Sequence, residues 1–268
     1  RIGSGTTLLA SNTVPLSIGA YISGTLPLNG YASGVRYSST ARYTGTTMSI
    51  PTAPPTNDVN TSLLLNFTNA GITDATAKNN LETVGGAQIS TTQSKFGGSS
   101  MYFDGAGDFV QTFASNQTLS FRTGDFTVEG WVYFSTSGQH GICQISTNPG
   151  GFNASTSNSI AIQRNATGSW EIYAKNTNTS QSATINQSQW YHVALVRSGT
   201  TTKFYVDGTA LITVSADTTD YTGTYIGLGA IYSTAVPFNG YIDDLRVTKR
   251  YARYTANFTP PTDTFRLQ

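Results

Sequence analysis

The stretch DFTVEGWVYF (125–134) sets Phe126, Val128, Val132 and Phe134 at alternate positions. A period of two puts all four on one face of an extended strand. Further short apolar runs follow the same rule: SLLLNF (62–67), SSMYF (99–103), DFVQTF (108–113), SIAIQR (159–164), SWEIYAK (169–175), WYHVALVRS (190–198), TKFYVDG (202–208), TALITVS (209–215), TYIGLG (224–229) and GYIDDLRVT (240–248). Turn residues separate them. DGAG predicts a tight hairpin between 99–103 and 108–113, NATG another after Arg164, and Asp207-Gly208 a turn in a three-strand meander. Glutamate occurs only at Glu82, Glu129 and Glu171, so a good helix former is scarce, while Thr, Val, Ile and Tyr favour strands. The fold class is all-β, two antiparallel sheets packed as a sandwich.

Charge narrows the function classes. Of 268 residues, 11% are charged and the net charge is +1, which supplies no basic face for nucleic acid and no polybasic membrane anchor. No apolar run reaches the roughly 20 residues of a spanning helix, so membrane insertion is not expected. One cysteine, Cys143 in GICQI, excludes an intrachain disulfide and is expected to pack as a small hydrophobe. The chain opens on Arg1 without a signal-peptide pattern, and is expected to be processed or cut from a longer polypeptide.

A closing motif occurs twice. Gly19-Ala20 matches Gly229-Ala230, Pro27–Tyr31 matches Pro237–Tyr241, Arg36 falls opposite Arg246, and Ala41–Thr44 opposite Ala252–Thr255, an offset of about 210 residues. Residues 1–57 therefore read as the C-terminal strands of a preceding repeat plus a Pro-rich linker at Pro51–Asn57, and 58–268 as a complete domain. The other division open to the sequence is a single composite domain that includes 1–57.

The ordered motifs LLLNF, ITDATAKN, AQISTTQSKFGGSSMYFDGAGDFV, GDFTVEGWVYF, WYHVALVR, FYVDG and FNGYIDDLRVTKRYARYTANFTPPT, over about 60–262, resemble the concanavalin A-like, laminin G-type family, in the version common in phage tail and virion proteins. The resemblance implies a jelly-roll sandwich, with the tail ARYTANFTPPT wrapping back over it. It also implies a calcium site at a sandwich edge, for which Asp74, Asp243 and Asp244 are the candidates. Adjacent Asp243 and Asp244 point to opposite faces of a strand, so sharing one ion requires a local bend. Two departures weigh against it: Asn66-Phe67-Thr68 stands where the family often has His-Phe-Asp, and Ser33-Gly34 replaces the Asp pair upstream. The alternative role for these aspartates is pairing with Arg246 or capping backbone.

Saccharides stack on aromatic faces flanked by fixed polar groups. Phe152 and Tyr232, on loops, are the candidate contacts. Tyr133, Tyr173, Tyr205, Tyr221, Trp131 and Trp170 are further aromatics, with Trp131 and Trp190 expected to pack. Catalysis has little support: a glycosidase needs paired carboxylates, and Glu129 and Glu171 stand alone. His192 in WYHVALV reads as a satisfied structural histidine. No nucleophile elbow, metal-spaced histidine pair or phosphate loop occurs.

The expectation is a non-enzymatic module of a phage tail, fibre or capsid appendage. It would sit in the virion with other virion proteins, as a homo-oligomer, presenting a face to host-surface glycans. The alternative is a carbohydrate-binding or adhesion module of a secreted or surface bacterial protein, or an ancillary binding domain of a glycosidase.

Overall fold

The computed structural model describes residues 20–21, 25–29, 35–44, 61–65, 74–76, 78–112, 114–148, 158–231 and 236–265. Its contacts divide the chain into two units, 1–68 and 69–268. In the first unit β1 (Ala20–Tyr21) pairs with β2 (Thr25–Pro27), and β3 (Val35–Ser38) pairs antiparallel with β4 (Thr61–Leu65). The strand at Thr61–Leu65, expected to open the sandwich, thus pairs within the first unit, with Val35 opposite Leu65.

The second unit is the sandwich. Its strands are β5 (Leu81–Val84), β6 (Gln88–Ser90), β7 (Ser100–Asp104), β8 (Phe109–Thr112), β9 (Phe126–Phe134), β10 (His140–Ser146), β11 (Ile160–Arg164), β12 (Trp170–Ala174), β13 (Thr177–Gln181), β14 (Trp190–Ser198), β15 (Thr201–Val206), β16 (Thr209–Val214), β17 (Tyr225–Leu228), β18 (Ala230–Ile231), β19 (Val236–Pro237) and β20 (Asn239–Lys249). The front sheet runs β16-β15-β14-β9-β20-β7-β6 and the back sheet β13-β12-β11-β10-β17-β8-β5, and every pairing is antiparallel. A 3-10 turn lies at Gln117–Leu119. No helix among the described residues is long and apolar enough to cross a membrane.

Alternation fills the space between the sheets. Phe126, Val128, Val132 and Phe134 of β9 face Ile160, Ile162, Trp170 and Ile172 of the back sheet in one core cluster. Trp170 is fully buried and meets Phe134 edge-on at 5.7 Å, while Phe121 stacks on Phe126 at 4.3 Å. Each such ring contributes about 1.5–3 kcal/mol of burial. Cys143 lies in this core, and burial pushes its thiol up to about 12.

One turn departs from expectation. β7 and β8 flank DGAG but do not form a hairpin: β7 pairs with β20 and β6 in the front sheet, β8 with β17 and β5 in the back one. Asp108 holds the crossing, since its carboxylate accepts from Gly86 N and Asp104 N. The glycines suit any tight reversal, and only the need to bury both Phe103 and Val110 selects a change of sheet.

Candidate functional site

The two outer faces of the sandwich differ in what covers them. On the front sheet Thr127, Glu129, Trp131 and Tyr133 of β9 point away from the core, opposite Val196, Ala194, His192 and Trp190 of β14. Residues 250–265 cross this face. Arg253 N donates to Thr127 Oγ1, Ala210 N to Asn257 Oδ1, and Phe258 N to Gly208 O. Tyr254 and Phe258 stack on each other at 3.5 Å and pack over Ala194, Val196 and Tyr205. At the other end the Lys95 ammonium sits 4.0 Å from the Trp131 ring centroid, and Phe96 meets that ring edge-on.

Beneath this cover lies a buried ionic cluster. Both Arg246 Nε and Nη2 donate to Glu129 Oε1, Arg253 Nε stands 3.5 Å from the same oxygen, and Tyr254 OH donates to Oε2 at 2.8 Å. Burial pushes the Glu129 carboxyl up. His192 at 3.5 Å, Arg246 and Tyr254 outweigh it and hold the group below the ordinary carboxylate range. Burial and the adjoining Glu129 charge raise the Tyr254 phenol. His192 occupies the buried strand position expected of it; its Nε2 stands 3.5 Å from Glu129 Oε2 without closing a well-formed hydrogen bond, and Nδ1 has no hydrogen-bond partner among the described residues. Trp131, Tyr254, Phe258 and Phe265 present ring edges around it. This cluster fastens the tail to the sheet.

The back sheet is built differently. Cys143, Ile145, Ile160, Ile162, Ile172 and Val110 face the core, so the residues between them face out. Register sets Tyr173, Ala161, Gln144, Gly227, Gln111 and Glu82 side by side in one lateral row across six strands. In the next row Gln163 stands opposite Glu171. Gln163 Nε2 donates to Glu171 Oε1, Asn165 Nδ2 donates to Oε2 at 3.1 Å, and Gln111 Nε2 donates to Glu82 Oε2 at 3.3 Å. The carbonyl oxygens of Gln111, Gln144 and Gln163 are buried and without a partner among the described residues. The hairpin β18–β19 rests on this face. It sets Ile231 and Val236 against Ala161 and Tyr173, and a Cβ on Gly141 would lie 2.6 Å from Ile231 N.

The aspartates expected at a calcium site are all described. The Asp74 carboxylate caps its own turn, accepting from the backbone and side chains of Thr76 and Asn79; burial raises its pKa, and these donors bring it below the ordinary value. Asp243 Oδ2 accepts from Lys95 N and Phe96 N. A bulge between Asp243 and Arg246, with Asp244 at φ +50, supplies the bend the adjacent pair requires. Asp244 Oδ2 accepts from Phe265 N, and burial followed by the Asp243 charge raises its carboxyl. Asp243 and Asp244 thus cap backbone, while Arg246 pairs with Glu129. Among the described residues no three His, Cys, Asp or Glu groups converge as metal ligands would. Phe152 and Tyr232 lie outside the described residues. Of the other aromatics, Trp170, Tyr205 and Tyr221 are buried, and Tyr173 lies on the outer back face. The glutamines went unnoticed in the sequence, because a polar residue at an outward strand position looks like an ordinary solvated face.

Comparison with known proteins follows the architecture. Domain 4 of an extracellular arabinanase from Geobacillus stearothermophilus, solved in complex with arabinotriose, superimposes with a TM-score of 0.51 at 15% identity, covering 67% of this chain and 87% of that one. Domains LG4-5 of the mouse laminin α1 chain give 0.43 at 15% identity, covering 62% and 44% of the two chains. A carbohydrate-binding module of a Ruminococcus gnavus sialidase, bound to sialyllactose, gives 0.40 at 13% identity, covering 50% and 79%. No curated protein matches the chain by sequence. The profile of the concanavalin A-like lectin/glucanases superfamily, in its laminin G-type form, matches residues 104–253, more than half of the chain. Two stacked antiparallel sheets of seven strands, matched by that profile over most of their length, make this chain a member of the concanavalin A-like lectin/glucanases superfamily.

Proposed function

We propose that the chain is a non-catalytic glycan-binding module and that it binds through the outer face of its back sheet. The observation that carries this is the set of three buried carboxamide oxygens, on Gln111, Gln144 and Gln163, that no donor among the described residues satisfies. A buried acceptor without a partner is costly, and saccharide hydroxyls are the donors that a row of such acceptors suits. On the front face the tail and the Lys95-Phe96 turn cover Val196, Tyr205 and Trp131, and the recess left between Val196, Ser198, Thr201, Lys203, Tyr254 and Thr255 carries no unpartnered carboxamide.

The glutamates fit binding better than turnover. Glu129 lies under the tail between two arginines, and both oxygens of Glu171 accept from amides, so each serves as a fixed acceptor. The repeated closing motif supports a tandem setting in which several weak sites act together. Within that setting, presentation on a virion toward host-surface glycans is the finer reading that the sequence resemblance suggests. A bacterial surface adhesin or an ancillary glycosidase domain would use the same face.

Native affinity electrophoresis of the full chain through gels containing single polysaccharides tests the proposal, with arabinotriose as a soluble competitor. Retardation that weakens with Gln111→Ala supports it. Unretarded migration in every gel, with no heat in calorimetry at high protein concentration, contradicts it.

A further inference from the structure

The orientation of two of the glutamines follows from chemistry. A carboxylate can only accept hydrogen bonds, so the Gln163 side chain must turn its NH2 group toward Glu171, and Gln111 must turn its own toward Glu82. Flipping either amide would set oxygen against oxygen. Each glutamate therefore fixes its partner so that the carbonyl oxygen is the group left over, and both of those oxygens lack a partner among the described residues. Gln144 lies in the same lateral row as Gln111, across Gly227, and its Nε2 reaches Ser146 Oγ at 3.5 Å, leaving its oxygen unpartnered as well.

The three glutamines thus leave acceptors unfilled on this face. Among the described residues in register with these glutamines, none is lysine or arginine. The two nearby cations are engaged elsewhere: Lys175 Nζ donates to Ser215 O, and the Arg164 guanidinium lies 5.9 Å from the centroid of the Phe134 ring. Gln144, Gly227 and Ala161 are buried, while Gln111 is half-buried and Glu82 exposed, so the Gln111–Glu82 end of the row is the open one.

We infer that this face selects uncharged, hydroxyl-rich glycans and discriminates against those bearing carboxylate or sulfate groups. The inference rests on the glycan-binding reading above and names its substrate class. A hydroxyl donates to an oriented carbonyl. An anionic sugar brings further acceptors to a row of unfilled carbonyl oxygens beside two carboxylates, with no lysine or arginine in register among the described residues to offset them. Discrimination arises here from repulsion as well as from fit.

Paired neutral and acidic saccharides test this with the full chain: dextran against dextran sulfate, and lactose against sialyllactose. The neutral member is expected to bind at least about tenfold more tightly than the acidic one. Glu82→Gln, at an exposed position, should narrow that ratio by easing the repulsion. Acidic glycans binding as tightly as neutral ones, with loss of both on Gln111→Ala, would overturn the selectivity and leave glycan binding standing. Neutral binding indifferent to both Gln111→Ala and Glu82→Gln would overturn the assignment to this face. Silence toward every polymer would overturn both the selectivity and the reading beneath it.

Discussion

Arg246 grips Glu129 from the neighbouring strand, with Nε at 2.9 Å and Nη2 at 2.8 Å from one carboxylate oxygen. The two residues lie 117 positions apart in sequence, directly opposite each other in the β9–β20 register. Around that contact the tail is fastened: Arg253 and Tyr254 reach the same carboxylate, and the Arg246 guanidinium lies 4.2 Å from the Phe265 ring centroid. The pair fastens the tail across the front face, whereas the proposed glycan-binding face is the back one.

Replacing Glu129 with Gln removes the buried carboxylate that Arg246 and Arg253 share. Removing one partner of a buried pair costs about 3–5 kcal/mol. Urea denaturation of E129Q is expected to show a loss in that range with an unchanged m-value. A loss below about 1 kcal/mol would mean that the cluster does not hold the tail.

The same carboxylate sets an acid limb. Its pKa in the folded state is lowered, so its contribution to stability is complete above the unfolded value of about 4.3 and is lost as pH falls through the lower folded value. Asp217 behaves alike: burial raises its pKa, and donors from Thr202, Tyr221 and Thr219 lower it further than burial raises it. Asp244, raised by burial and by Asp243, acts in the opposite sense: what it contributes is present at the lowest pH and is lost as pH rises. Thermal melts from pH 7 to pH 3 should show Tm falling below about pH 4.3. The fall should be shallower in E129Q, and equal slopes would contradict the assignment.

Gly208 lets the tail come close. Its φ is +78, and a Cβ there would lie 1.8 Å from Phe258 O. Gly208→Ala combines a left-handed backbone with a backbone clash and should destabilise by about 2 kcal/mol. Limited proteolysis should then cut within 250–265 faster than in the wild type. Unchanged cleavage would show that the tail is held without this approach.

The capping roles of Asp74, Asp243 and Asp244 bear on calcium. Each carboxylate already accepts from backbone amides. Adding millimolar calcium is expected to leave Tm unchanged. An ion held at a hundred times its Kd would stabilise by about 2.7 kcal/mol, so a calcium-dependent rise reversed by chelation would contradict the capping account.

The sandwich was legible wherever alternation was strong. The 125–134 strand, the β14–β15–β16 meander and the Asn165 turn all stand where period two and turn chemistry put them. DGAG was misleading because a glycine-rich reversal carries no information about which sheet its second strand joins. SLLLNF was misleading because nothing local says which neighbour a strand will take. The candidate site was the least legible part. Gln111, Gln144 and Gln163 look ordinary one at a time, and only registry across β8, β17, β10 and β11 sets them on one face. Glu129 and Glu171 stand alone in sequence, whereas in the fold each has partners brought from other strands or turns.

Hydrogen-exchange mass spectrometry of the full chain, with and without a saturating neutral oligosaccharide, addresses the glycan-binding face most directly. Protection is expected in peptides that carry Gln111, Gln144, Gln163 and Glu171, with residues 250–265 unchanged. Protection confined to the front sheet and its tail, or no protection from a ligand shown to bind, would place recognition elsewhere and contradict the account.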